Sequence, residues 1–162
     1  MKSITYLQGD ATHPIGVGPK IVAHCCNNLG VWGAGFVLAL SKRWPQPEAS
    51  YRNLAKAEVD NIPLGLVQYV CVCDDITVAN IIGQEGVSIR RGLPPIRYRA
   101  LANGLALVSH HAIDCRATVH LPRLGCGLAG GRWNIVEALI EETLCGYGVP
   151  VFVYDFAPGG VP

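Results

Sequence analysis

The sequence predicts an α/β fold, a sheet covered by helices on both faces. Three observations carry that reading. Apolar stretches that read as strands alternate along the chain with stretches whose apolar residues recur every three or four positions, which read as helices. Residues 20–26, KIVAHCC, are mostly apolar, as suits a strand buried on both sides. No repeat or linker divides the 162 residues, and one domain of that length buries about two-thirds of its surface.

The elements follow in order. Residues 3–7, SITYL, form a short strand that ends at Gln8-Gly9-Asp10. The buried strand 20–26 leads through a glycine-rich turn into a helix over 34–43, stopped at Trp44-Pro45-Gln46-Pro47. A second helix over 48–58 has weaker periodicity. Residues 66–73 and 76–82 are strands joined by Asp74-Asp75, the best hairpin signal in the chain. Pro94-Pro95 opens a helix that sets Tyr98, Leu101, Leu105 and Val108 on one face. A strand over 117–121 precedes an amphipathic helix marked by Trp133, Val136, Ile140 and Leu144. The last strand spans 149–156, and 157–162 read as a disordered tail.

Composition narrows the function classes. Half the residues are apolar and 15% are charged, against a typical ~25%, which excludes a disordered, highly charged chain. With 13 Lys+Arg against 12 Asp+Glu, the chain lacks the basic face that binds nucleic acid by counterion release. Arg90, Arg91, Arg97 and Arg99 are a local exception, read as a solvated loop and helix face. The N-terminus has no apolar signal-peptide core, and no run approaches a membrane span. Seven cysteines, an odd count at irregular positions, fit reduced thiols and a cytoplasmic location. Cys25-Cys26 and Cys71-Cys73 are not C-x2-C pairs, and adjacent strand residues point to opposite faces, so no metal is expected. No cofactor motif is present either, so no cofactor is expected.

Nineteen glycines are about eight more than average usage supplies, and seven of them fall in two loops. Both loops run from a strand into a helix: 27–36, NNLGVWGAGF, and 122–131, PRLGCGLAGG. Glycines there let backbone N–H groups converge on an anion at a helix N-terminus. In open α/β sheets ligands bind beyond the carboxyl ends of the strands, where both loops belong. The pair therefore suits a diphosphate; tight helix–sheet turns without a ligand are the alternative. Neither loop is G-x-x-x-x-G-K-[ST] or G-x-G-x-x-G with an acid about 20 residues on, which disfavours P-loop nucleotidases and dinucleotide dehydrogenases. Asp10 suits either an adenine amino group or a turn cap. Asn27, Asn28, Asn80 and Gln84 suit sugar hydroxyls or local backbone groups. His24 reads as a hydrogen-bonded core histidine rather than a catalyst. Tyr154 and Phe156 suit either a stacked base or the core.

These residues resemble a macrodomain, the ADP-ribose-binding module. The resemblance runs from Ile4 to Phe156 through ITYLQGDAT, IVAHCCNNLGVWGAGFVLALSKRWP, VANIIGQ, HLPRLGCGLAGGRW and VFVYDF. It implies a three-layer α/β/α sandwich with a central mixed sheet over 1–156. Within the family the chain is most similar to the branch of terminal ADP-ribose glycohydrolases and ADP-ribose-1″-phosphatases. The resemblance makes Asp10 the adenine-binding acid and Ala11 a further ADP-ribose-binding residue. It makes Gly33, Ala34, Gly35 and Phe36 the first phosphate and distal-ribose loop, and Gly125, Cys126, Gly127, Leu128 and Ala129 the second phosphate loop. Asn28 and Gln84 lie near the distal ribose, the expected catalytic end, and Tyr154 and Phe156 border the adenine.

Two departures bear on mechanism. The branch's glycohydrolases use a lysine nucleophile where this chain has Gln84, and an aspartate where it has Ala129. A glutamine cannot form the amino-linked ribose adduct and an alanine cannot act as a base. The expectation is a mono-ADP-ribosylhydrolase acting on acidic side chains by water attack at the distal C1″. Its rivals are an ADP-ribose-1″-phosphate phosphatase and a reader without turnover. The expected partner is ADP-ribose or a mono-ADP-ribosylated protein, with nucleic acid only as a modified acceptor and no membrane.

Overall fold

The computed structural model describes residues 3–156, so the expected tail over 157–162 lies outside the described residues. Its strands are β1 (Thr5–Gln8), β2 (Lys20–Asn27), β3 (Val67–Cys73), β4 (Ile76–Gln84), β5 (Thr118–Leu121) and β6 (Val151–Asp155). Its helices are α1 (Phe36–Arg43), α2 (Gln46–Ala57), α3 (Tyr98–Cys115) and α4 (Trp133–Thr143), with a short 3-10 turn at Cys145–Tyr147. The strands form one sheet in the order β1-β6-β5-β2-β4-β3. Every neighbouring pair is parallel except β3 and β4, which form the expected hairpin through Asp74-Asp75. The sheet is therefore mixed.

Alternation along β2 and β4 divides the interior into two cores. Ile21, Ala23, Ala79 and Ile81 face α3 and α4, packing with Leu101, Leu105, Val108, Val136 and Ile140. Val22, Cys26, Val78 and Ile82 face α1 and α2, packing with Leu40 and Tyr51. Helices on both faces make this a three-layer α/β/α sandwich, as expected. None of the helices among the described residues is long and apolar enough to cross a membrane.

One boundary differs in kind from expectation. Pro94-Pro95 does not open α3, which starts at Tyr98. The two prolines lie instead in a strap returning past the end of β4. There the Pro95 carbonyl accepts the Glu85 N–H at 2.9 Å and Ile96 bridges Gln84. Lacking N–H groups, prolines suit a segment whose carbonyls alone are used. Pro47 does sit in the first turn of α2, where a missing N–H costs nothing. α2 accordingly begins at Gln46, two residues before the expected start.

Candidate functional site

The chain leaves β2 toward α1 on one face of the sheet and leaves β5 toward α4 on the other, and β2 and β5 are neighbours. Loops diverging from adjacent strands open a crevice at their carboxyl ends. A cavity of about 900 Å³ occupies it. Gly33, Ala34, Gly35 and Phe36 line it from the β2 loop, and Gly125, Cys126, Gly127, Leu128 and Ala129 from the β5 loop. Gln84 lines it from the β4 side, Tyr154 and Phe156 from the β6 side.

Three expected residues are placed differently. Asp10 lines a neighbouring pocket of about 650 Å³, shared with Lys42 and Arg43 and joined to the main cavity through Phe156. Its Oδ1 accepts the Thr12 N–H at 2.8 Å, the turn cap named as the alternative to an adenine contact, while Oδ2 lies 3.6 Å from His13 Nδ1. Ala11 is buried and lines neither space. Asn28 is also buried and does not line the cavity: its Oδ1 takes the Gly86 N–H at 2.9 Å and so fixes the turn after β4.

The β2 loop is held from beneath. Asn27 Oδ1 accepts the Leu29 and Val31 N–H groups, and its Nδ2 donates to the Val31 carbonyl at 2.7 Å. Trp32 donates its indole N–H to Ser41 Oγ at 2.8 Å, and Ser41 in turn donates to Glu48. Arg52 pairs with Glu48 and donates to the Trp32 carbonyl, closing the ring across α1 and α2. These contacts fix the loop while leaving its tip free. Among the described residues, no protein acceptor takes the N–H of Gly33, Ala34, Gly35, Gly127, Leu128 or Ala129. Gly35 caps α1 without a side-chain bond, so that helix's N-terminal dipole also opens on the cavity.

The glycine excess has two causes. A Cβ on Gly131 would stand 2.3 Å from the Gly125 carbonyl oxygen, one on Gly125 2.5 Å from Ile96 Cδ1, and one on Gly30 2.5 Å from Ala55 Cβ. Close backbone packing at Gly131, and left-handed backbone at Gly30 and Gly125, demand glycine with or without a ligand, so the tight helix–sheet turns weighed as the alternative account for part of the excess. A Cβ on Gly33 or Gly127 would meet nothing within 4 Å, and neither has a left-handed backbone. The fold does not require glycine there.

The reactive groups on the wall are subdued. His24 is buried, edge-on to Trp32 with ring centroids 5.4 Å apart. Asn80 donates its amide N–H to Gln68 and to the Pro47 carbonyl, so its Oδ1 faces the ring and His24 Nε2–H donates to it. Burial lowers the His24 pKa to about 4, against the opposing effect of that hydrogen bond, and the ring is neutral. Burial pushes the Cys25 thiol up to about 12 and raises Cys26 and Cys126 too, so these sulfurs are protonated and weakly nucleophilic. The Tyr154 hydroxyl accepts the Ile15 N–H and is hydrogen-bonded to His120 Nδ1 at 2.8 Å, leaving its ring to the cavity. Among the described residues no three His, Cys, Asp or Glu side chains are grouped to hold a metal ion.

Sequence reasoning gave no role to Arg123 and Asp155. Arg123 forks onto the Asp155 carboxylate, with Nη2 to Oδ2 at 2.8 Å, and its guanidinium lies 4.7 Å from the Trp133 ring centroid. That hydrogen-bonded guanidinium holds the Asp155 carboxyl below the usual range. Both side chains line the cavity. Arg123 lies in the loop after β5 and Asp155 at the end of β6, and no local spacing announces them.

No family model matches the chain. Among solved structures it is similar to a protein of unknown function from Bacteroides thetaiotaomicron, 49% identical with a TM-score of 0.92 over 94% of this chain and 98% of that one. A macrodomain protein from Streptomyces coelicolor is 48% identical, with a TM-score of 0.84 over 96% of this chain and 100% of that one. Among curated proteins, the chromodomain-helicase-DNA-binding protein 1-like of Mus musculus is 32% identical over 165 residues, 95% of this chain. The chain spans only 18% of that relative's length. An ADP-ribose 1″-phosphate phosphatase of Candida albicans is 24% identical over 147 residues, 86% of this chain and 92% of that one.

Proposed function

This chain belongs to the macrodomain family, and on that premise we propose that it binds ADP-ribose in the cavity between its two glycine loops and acts as a mono-ADP-ribosylhydrolase on acidic side chains of modified proteins. The two opposed rows of unengaged N–H groups carry the reading, because they suit the paired phosphates of a diphosphate. Gly33 through Phe36 hold one phosphate and the distal ribose, and Gly125 through Ala129 hold the other. Asp10 offers its Oδ2 to the adenine amino group beside Ala11, and Tyr154 and Phe156 border the base. Gln84 faces the distal ribose, while Asn28 acts as a positioning residue through the turn at Gly86.

The chemistry proceeds without a protein nucleophile. Water attacks C1″ of the distal ribose, and the new C–O bond forms as the bond from C1″ to the acceptor's carboxyl oxygen breaks. The carboxylate leaves with the bonding pair, and the water's proton passes to a phosphate oxygen or ribose hydroxyl and on to solvent. Three features support this route. Gln84 and Ala129 stand where a lysine and an aspartate would serve, the wall thiols are protonated, and Asp155 is committed to Arg123. Catalysis then comes from holding the diphosphate and ribose in place. The seven free thiols fit the reducing cytoplasm in which we place the protein.

The likeness to the Candida albicans phosphatase favours a second reading, removal of the phosphate from ADP-ribose-1″-phosphate. Incubation with a mono-ADP-ribosylated glutamate peptide, with ADP-ribose-1″-phosphate and with free ADP-ribose separates the readings. The expected result is release of ADP-ribose from the peptide. Dephosphorylation alone would select the second reading, and binding without turnover would eliminate both enzymes.

A further inference from the structure

We propose that the loop over residues 85–93, at the Gln84 side of the cavity, docks the modified protein and selects an acceptor segment rich in acidic and apolar residues; this rests on the reading of the cavity just given. The base of the loop is pinned. Glu85 N–H donates to the Pro95 carbonyl at 2.9 Å, and Ile96 N–H to the Ala129 carbonyl of the second glycine loop at 3.1 Å. Arg97 pairs with Glu85 at 2.8 Å and donates to the carbonyls of Pro94 and Ile96. Above this base, residues 87–93 are all exposed.

The tip is a tight turn in which Arg90 and Leu93 exchange N–H···O bonds at 3.0 and 2.9 Å. Its central residues, Arg91 and Gly92, have φ of 51° and 76°. Such turns favour asparagine or glycine at both central positions, because a Cβ is disfavoured at positive φ. Arg91 nevertheless occupies the first, exposed, with no hydrogen bond or ion pair among the described residues. The fold gains nothing from arginine there, so a contact outside the chain is the reason for it.

Around the tip lies exposed apolar surface: Ile89 at 71% and Leu93 at 60% exposure, with Val87 continuing it into the cavity wall beside Leu128. Arg90, Arg91 and Arg99 are exposed and in no ion pair among the described residues, and the one acid of segment 85–99, Glu85, is committed to Arg97. Unpaired cations among aliphatic side chains complement acidic and apolar residues flanking the modified carboxylate. Single-stranded nucleic acid would ask for stacking rings. The segment holds only Tyr98, whose hydroxyl accepts the Arg132 N–H.

Two peptides mono-ADP-ribosylated on one glutamate, flanked either by Asp, Glu and Leu or by Ser and Gly, test the proposal, with free ADP-ribose as control. The wild type is expected to bind the acidic peptide about three- to tenfold more tightly, the yield of two exposed charge contacts. Arg90→Glu/Arg91→Glu should abolish that preference and leave the Kd for ADP-ribose unchanged. Arg91→Gly, which suits the turn, should keep the melting temperature and reduce the preference. Equal affinity for both peptides in the wild type, equal loss on both in the variant, or a preference for an ADP-ribosylated oligonucleotide would overturn the proposal. Where the peptides are hydrolysed the preference is read as the ratio of their kcat/KM values, and where they are not, as the ratio of their Kd values, so failure of the hydrolase reading is seen separately.

Discussion

Gly33 and Gly131 sit in equivalent loops and owe their identity to different causes. At Gly131 an added Cβ meets the Gly125 carbonyl oxygen at 2.3 Å, a backbone atom that cannot step aside. Gly131→Ala should therefore cost about 1–3 kcal/mol and lower the melting temperature by roughly 3–10 °C. Gly33→Ala, whose Cβ enters open cavity, should keep the wild-type melting temperature and weaken ADP-ribose binding. Thermal melts of both variants check this, and equally lowered melting temperatures would contradict the distinction. Composition registers the two kinds of glycine alike. The sequence signal was an excess, and only the surroundings of each Cβ divide it into packing and cradle.

At the scale of elements, most of the molecule is legible in the sequence because its determinants are local. The apolar run of β2, the Asp74-Asp75 hairpin and the one-sided faces of α3 and α4 appear in the structure close to where periodicity puts them. What fails to show in the sequence depends on partners distant in the chain. Pro94-Pro95 looks like a helix start until Glu85 is seen donating to the Pro95 carbonyl. Asn28 looks like a sugar ligand until Gly86, 58 residues away, is seen donating to its amide oxygen. Arg123 and Asp155, 32 residues apart, carry no signal at all, although their fork closes part of the cavity wall. The glycine loops were readable because strand, turn and helix N-terminus follow one another directly. The strand order, which sets the β2 loop beside the β5 loop, was not.

Two neutral buried histidines make the stability of the whole molecule depend on pH. Burial lowers His24 and His120 to about 4, below an ordinary value near 6.5. Between those values the unfolded chain binds more protons than the folded one, so stability falls as pH drops from about 6.5 toward 4 and is fully present above that window. The lowered carboxyls of Asp155 and Glu48 lose their contributions only at lower pH, below their ordinary values. Urea unfolding between pH 4.5 and 7 should show stability rising with pH, with a smaller slope in a His120→Gln variant. A flat profile would contradict the assignment. The central claim, that two backbone loops form the cradle of ADP-ribose, is tested most directly by titration calorimetry of ADP-ribose into the wild type and Gly127→Glu. The added side chain meets no neighbour within 4 Å at its Cβ and places a carboxylate among the unengaged N–H groups of the loop. Saturable binding to the wild type and none to a variant that melts at the wild-type temperature is the predicted result. Unchanged affinity in that variant, or no binding to the wild type, would contradict it.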